Sequence, residues 1–532
     1  MDDKQPSEHS EKENSSKKIG RRGFIITLGF GAAASALLRK LPGKSGEAIP
    51  EVSSEKISLT STTTSTSLPK VSTSSNTEEF PNEIETVFET VISGGRVIDP
   101  DSGFDGIANI GINGDSIRLV SNEPLTGDSK IDATGLVVAP GFIDVLSYPT
   151  NGYGEWYKIA DGVTSNLCMH GIDNPMKKFL EDTEVHNPPV NYGGAVDHYQ
   201  HRIILGVGIQ RTTEKERRTL LELAETDLQA GAIGIHQQPE YTVDLQKSEI
   251  VAHGHLAAKY NVPLSLHLRH SYDKAFGSQE DAINEALEVA RETGCSIHIE
   301  HLNSTGGTGR MRAAIDQIQK ARDEGLAITA CIYPYTFWAT YGGSARFDNF
   351  QEKFDISFGD LQEVGKPDRM TEETFSIARG ENKLIAAYAM NEEDITEALS
   401  APWVLIGSDS ILERPHNNHP RSAGCFSRLL SNYVREQKVL SLSDALAKMT
   451  ILPARLLEKS SSSMRLRGRI QSGSVADITM FDPENISDRA DASNPAQESI
   501  GIVHVMVGGQ LARSDNKNNN VQSGVPVLRD IS

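Results

Sequence analysis

Two short apolar runs, each ending in a histidine and separated by a helix-like stretch, constrain this chain more than any other feature. Val262 to His267 reads VPLSLH, and Cys295 to His301 reads CSIHIEH. Between them Ala282, Ala286, Leu287 and Ala290 recur at helical spacing, with Gly294 where a helix C-cap belongs. This is a strand–helix–strand unit, the crossover that parallel strands require. The two histidines stand 34 positions apart, one strand-plus-helix period, so both imidazoles emerge at the same end of neighbouring strands. Two neutral imidazoles converging on one point are the start of a metal site that lacks a third ligand.

The same alternation runs from Pro140 to Lys459. GFIDV, GVTSNLCM, PPVNYGGAV, AIGIHQ, VPLSLHL, CSIHIEH, AITACIYPY and WVLIGSD make eight candidate strands separated by helical patterns. Eight such repeats predict an α/β chain folded as a (β/α)8 TIM-like barrel, with its active site at the C-terminal ends of the strands. After the last strand, SLSDALAKMTILPARLL is helical, with Ser443 expected as its N-cap. VISGGRVIDP, IANIGINGDSIRLV and KIDATGLVVAP before the barrel are alternating strands, as are GRIQSGSVADITMFDP and IVHVMVGGQLAR after it. The expected organisation is a small β-sandwich domain from 87–139 plus 465–515, a barrel over 140–464, and a C-terminal tail over 516–532.

The first 86 residues have a different character. Arg21-Arg22-Gly23-Phe24-Ile25 and an apolar run to Leu38 read as a twin-arginine export signal within residues 1–42. About 15 apolar residues fall short of the roughly 20 that a spanning helix needs. Residues 43–86 are Ser/Thr-rich and predict a linker or stalk. The chain is therefore expected to leave the cytoplasm by the twin-arginine machinery for the periplasm, cell surface or exterior. A formal net charge of −20 over 532 residues argues against nucleic acid and against an anionic membrane surface. Four cysteines, Cys168, Cys295, Cys331 and Cys425, are too few for a disulfide framework.

GGRVIDPDSG, VVAPGFIDV, DGVTS, GAIGI, HLRH, IEHLN, IYPYT, GSDS, HPRSAGCFSRLL and LSLSDALAKMTILPARLL follow one another here, with GSVADITMFDP and VMVGGQL after them. In this order they resemble the N-acyl-D-amino-acid deacylases (D-aminoacylases) of the amidohydrolase superfamily, over roughly residues 87–515. The resemblance implies a zinc-dependent hydrolase of amide C–N bonds. It implies that His267 and His301 ligate the tightly held zinc and that the third ligand follows the second strand. That family's third ligand is a cysteine, or a carboxylate in some relatives. Here Cys168 and His170, two apart and on one face of an extended strand, are both chemically able, and Cys168 is preferred. Asp409 matches the catalytic aspartate; its own setting, a carboxylate closing WVLIG, agrees, the alternative being a cap for the next helix. Arg421 matches the arginine for the substrate carboxylate, and Tyr333 or Tyr335 a tyrosine that helps bind substrate. Arg269 offers a second anion contact or a surface ion pair.

The sequence departs from that pattern in two places. The first strand of this superfamily ends in two histidines separated by one residue, where this chain has Leu146-Ser147-Tyr148. Near the sixth-strand histidine, Asn303 replaces a lysine. Loss of the pair predicts one zinc per chain rather than two. The expectation is an exported mononuclear amidohydrolase acting on a small carboxylate-bearing substrate, an N-acyl-(D-)amino acid or a related amide. The alternatives are a barrel that keeps its pocket for binding only, and a hydrolase of cyclic amides or imides.

Overall fold

A computed structural model describes residues 87–149, 151–273, 277–410, 412–413 and 417–530. The export signal and the linker lie outside the described residues.

Eight parallel strands occur where the apolar runs predicted them. They are β1 (Phe142–Asp144), β2 (Val163–Cys168), β3 (Asn191–Asp197), β4 (Gly234–Gln237), β5 (Leu264–Leu266), β6 (Ile297–Ile299), β7 (Ile328–Ile332) and β8 (Val404–Ile406). Each pairs with the next in sequence, from β1 round to β8. Ile235, Leu264, Ile297 and Ile328 stand side by side across β4 to β7. Buried on both faces, such strands read as continuous apolar runs.

The seam between β8 and β1 is held by side chains as much as by backbone. Asp144 accepts from the Ser408 backbone at 3.0 Å and from Lys158 Nζ at 2.5 Å, and Asp409 N donates to Leu146 O at 2.6 Å. A single bridge, Ser147 to Ser410, completes the closure. The barrel is a nearly closed (β/α)8 fold.

The crossover helix from β5 to β6, Gln279–Thr293, starts at a reciprocal Ser278–Asp281 cap and ends at Gly294 with φ 71°. Its buried face includes the predicted Ala282, Ala286, Leu287 and Ala290, joined by Ile283 and Val289. One cap differs from expectation. Ser441, not Ser443, begins helix Leu442–Met449, because Asp444 then stands at the third helical position and exchanges hydrogen bonds with it.

The terminal segments join in one nine-stranded sheet. Val137–Pro140 pairs antiparallel with Ile478–Phe481, fastening the N-terminal strands to the C-terminal ones. This sheet encloses its own core, which includes Ile110, Ile117, Val138, Ile478 and Met480. The last described residues pack against the barrel: Val527 is buried and donates to Tyr192 O at 2.7 Å. An insertion between β7 and β8, not expected from the sequence, forms a three-stranded antiparallel sheet of Trp338–Tyr341, Leu384–Ala387 and Leu361–Glu363. It roofs one side of the barrel mouth.

Candidate metal centre and active site

At the C-terminal ends of the strands a pocket is lined by Tyr148, His170, Tyr241, His267, His301, Tyr333, Trp338, Arg346, Asp409 and Arg421. His267 and His301 meet there as expected, with His267 Nδ1 3.1 Å from His301 Nε2. His170, His267, His301 and Glu300 place ligand-capable atoms within 4.8 Å of one another, and all four are buried. Three imidazoles and a carboxylate suit a borderline-soft dication such as zinc, so the donor set fits the metal that the family resemblance implies.

His170, not Cys168, joins that group. The expectation that the two share a face assumed an extended strand. Strand β2 instead ends at Cys168, and the chain turns over Met169 to Gly171, with Gly171 N donating to Cys168 O at 3.1 Å. Gly171 makes this turn at φ 97°, where a β-carbon would lie 2.9 Å from Asp197 Cγ and Oδ2. Cys168 stays in the barrel core with its sulfur 3.7 Å from Asn166 Nδ2. Burial pushes its thiol well above the ordinary value.

Carboxylates hold two of the rings. Glu240 lies 2.7 Å from His267 Nε2, which leaves Nδ1 for the cluster. Burial disfavours the charge of Glu240, yet Arg346 and His267 keep its carboxyl down at about 2. Glu300 Oε2 lies 2.5 Å from His170 Nδ1. Burial alone would depress the His170 imidazole, but Glu300 wins and holds it up at about 9, so metal uptake there would release a proton.

Asp409 reaches the cluster from β8, its Oδ2 4.0 Å from His301 Nε2. Arg421 Nη2 pairs with the same oxygen at 2.7 Å, and Arg421 Nε donates to the Asp409 carbonyl at 2.8 Å. The Arg421 guanidinium lies over the Tyr333 ring at 4.5 Å and keeps Nη1 without a protein partner. Both Asp409 (φ 50°) and His301 (φ 25°) occupy the left-handed region, which non-glycine residues adopt at a cost and which concentrates at functional sites.

Tyr333 lines the pocket, whereas Tyr335 packs edge-on against His419 with its ring 5.3 Å away. Arg269 is committed to Glu285 through two 2.8 Å hydrogen bonds and lies outside the pocket lining, so the surface-pair alternative is what the structure holds. Asn303, at the lysine position, donates to Tyr333 O at 2.8 Å and so holds the tyrosine strand end. Tyr148, in place of a histidine, turns its ring edge-on to His170 at 4.8 Å.

Four residues in and around the pocket escaped sequence reading: His236, Glu240, Glu300 and Arg346. A charged Glu300 inside the apolar IHIEH run and His236 inside AIGIHQ were readable signals; Glu240 and Arg346 sit in segments without periodicity. Arg346, held at the pocket by the insertion, stacks 4.2 Å over Trp338 and leaves Nε unpartnered.

Residues 265–513 match the amidohydrolase family model. An N-acyl-D-glutamate deacylase of Alcaligenes xylosoxydans xylosoxydans is 29% identical over 466 residues, covering 79% of this chain and 93% of its own. An N-acyl-D-aspartate deacylase from the same organism is 28% identical over 468 residues, covering 79% and 91%. The crystal structure of an N-acyl-D-glutamate deacylase from Bordetella bronchiseptica, complexed with zinc and a phosphonate inhibitor, superposes with a TM-score of 0.74. It is 24% identical and covers 83% of this chain and all of its own (100%).

Proposed function

We propose that this chain, an amidohydrolase acting on carbon–nitrogen bonds other than peptide bonds and related to N-acyl-D-amino-acid deacylases, deacylates an N-acyl-D-amino acid carrying a second carboxylate, with one zinc ion. The observation that carries the reading is the convergence of His170, His267 and His301 beside Asp409 at the barrel mouth. The imidazoles of His170, His267 and His301 would hold a zinc ion, which when bound would supply Lewis acidity. Asp409 Oδ2 takes the proton as water adds to the carbonyl carbon and returns it to the leaving nitrogen as the C–N bond breaks. Arg421, backed by Tyr333, binds the α-carboxylate through its unpartnered Nη1.

The second carboxylate is argued from Arg346. It is a second buried guanidinium lining the same pocket, with a donor left over. A neutral side chain would leave that donor unpaired, and an unpaired buried donor costs roughly 1–3 kcal/mol. The names of the two curated relatives, a D-glutamate and a D-aspartate deacylase, point the same way. Export by the twin-arginine route, read from Arg21-Arg22 and the apolar run behind them, belongs to the same proposal. Cell fractionation with and without that pair tests it.

The test of activity is a panel of N-acetyl-D- and L-amino acids given to the zinc-loaded protein, with amine release as the readout. D-glutamate and D-aspartate derivatives should exceed D-leucine, and Arg346→Met should erase that preference. Zinc retained without turnover of any amide would favour the binding-only reading, which the loss of the histidine pair at Leu146 and Tyr148 supports.

A further inference from the structure

Glu300 is a fully buried carboxylate whose ion-pair partners among the described residues are imidazoles, with no lysine or arginine. Oε2 meets His170 Nδ1 at 2.5 Å; Oε1 meets His236 Nδ1 at 2.7 Å and Ser265 Oγ at 2.6 Å. His170, His236 and Ser265 are each at most 5% exposed. A negative charge enclosed this way calls for positive charge nearby, and the ligand-capable atoms of the metal cluster lie within 4.8 Å. Both oxygens already accept hydrogen bonds, so direct ligation would cost Glu300 one of them. With Nδ1 facing the carboxylate, Nε2 is the His170 ring nitrogen left for a metal.

We propose that His170 and Glu300 together do the work of the thiolate ligand expected at this position: His170 ligates through Nε2, and Glu300 orients it and supplies the missing negative charge. The inference rests on the zinc reading above and goes beyond it by naming a thiolate-free, three-imidazole centre with a dedicated positioning residue. The charge count supports it. A thiolate contributes −1 directly, whereas a neutral imidazole backed by a carboxylate contributes the same −1 from one side chain further out. His236 and Ser265 hold Glu300 from its other oxygen, so the carboxylate cannot swing away. Carboxylate partners of this kind set the tautomer and basicity of a ligating histidine, and removing them weakens metal binding about 10–100-fold.

Cobalt substitution reads the ligands directly. The full chain, stripped with a chelator and reloaded with one equivalent of Co²⁺, should show visible d–d bands without the near-ultraviolet band of a thiolate–cobalt bond. Cys168→Ala should leave that spectrum unchanged, and His170→Cys should gain the band. Glu300→Gln should weaken Co²⁺ about 10–100-fold in competition with a chromophoric chelator. Its thermal midpoint without metal should fall, because His170 and His236 lose their anionic partner, so affinity is read on the folded protein. Loss of that midpoint with unchanged affinity would reduce Glu300 to a packing role and overturn the proposal. So would a thiolate band in the unaltered protein that vanishes in Cys168→Ala, while the zinc reading stands. Failure of the unaltered protein to take up metal at all would instead remove the zinc reading itself, and this inference with it.

Discussion

Glu240 Oε2 lies 2.7 Å from His267 Nε2, and the opposite nitrogen of that ring faces His301 Nε2 at 3.1 Å. The carboxylate therefore decides which nitrogen of His267 is offered to a metal. It is also the anionic partner of Arg346, 3.9 Å away, so one side chain ties the metal cluster to the proposed second-carboxylate contact. Glu240→Ala is expected to weaken zinc about 10–100-fold, and Glu240→Gln less, because its amide oxygen still accepts from Nε2. Chelator competition checks both. Equal affinity in all three proteins would show that Glu240 does not set the ring.

Asp409 is assigned the proton rather than the metal. Asparagine is nearly isosteric and tolerates the left-handed backbone observed at φ 50°, so Asp409→Asn should keep the local fold. It cannot accept the proton, and positioned acid–base catalysis contributes about 10²–10⁴-fold. Turnover should fall by at least about that factor with zinc content unchanged. Arg421→Ala should act mainly on KM, with some loss of turnover because Asp409 loses the guanidinium 2.7 Å away. Steady-state kinetics with elemental analysis separates the two. Wild-type turnover in Asp409→Asn would remove the mechanism.

The contrast between Asp409 and Glu300 shows where legibility ended. The eight strands were readable because each is a buried apolar run, and His267, His301 and Asp409 because each closes one. Choosing between Cys168 and His170 needed the exact end of β2, which depends on Gly171 fitting against Asp197 and not on any periodicity. Glu300, His236 and Ser265 become partners only through the lateral pairing of β4, β5 and β6, since Ser265 stands beside His236 and His298 in register. Arg346 reaches the pocket from an insertion whose strands pair antiparallel, with no repeat to betray it.

Burial of uncharged histidines makes an acid-stability prediction. Burial, with His198 nearby, depresses His253 to about 3, and burial depresses His298 to about 4, both from 6.5. Unfolding frees each ring to take a proton that the folded state refuses. The stability they confer is thus complete above about pH 6.5 and is lost as pH falls toward those folded values. The slope is up to about 1.4 kcal/mol per pH unit for each group. Urea midpoints of the metal-stripped protein should drop between pH 7.5 and 5, and His298→Gln should flatten the decline. A midpoint constant across that range would contradict the burial of neutral rings.

Lys158 makes the last prediction, because it holds the barrel seam that carries Asp409. It is buried, with Nζ 2.5 Å from Asp144 Oδ2 and 2.9 Å from Ser408 Oγ. Asp144 in turn accepts from Ser408 N at 3.0 Å, and the next residue, Asp409, donates to Leu146 O at 2.6 Å. Lys158→Met leaves Asp144 as a buried carboxylate without a cation, a change that costs about 3–5 kcal/mol in other buried pairs. The backbone and hydroxyl donors of Ser408 remain, so the lower end of that range is expected. Asp144→Asn added to Lys158→Met removes the orphaned charge and should recover much of the loss, which an isolated packing defect at Lys158 would not allow. Turnover should follow the seam: the single variant should lose activity beyond its loss of folded protein, because Asp409 is positioned from β1 across this contact. Urea midpoints of the two variants, with kcat per folded molecule, give the answer; equal midpoints for single and double variants would rule out the charge argument.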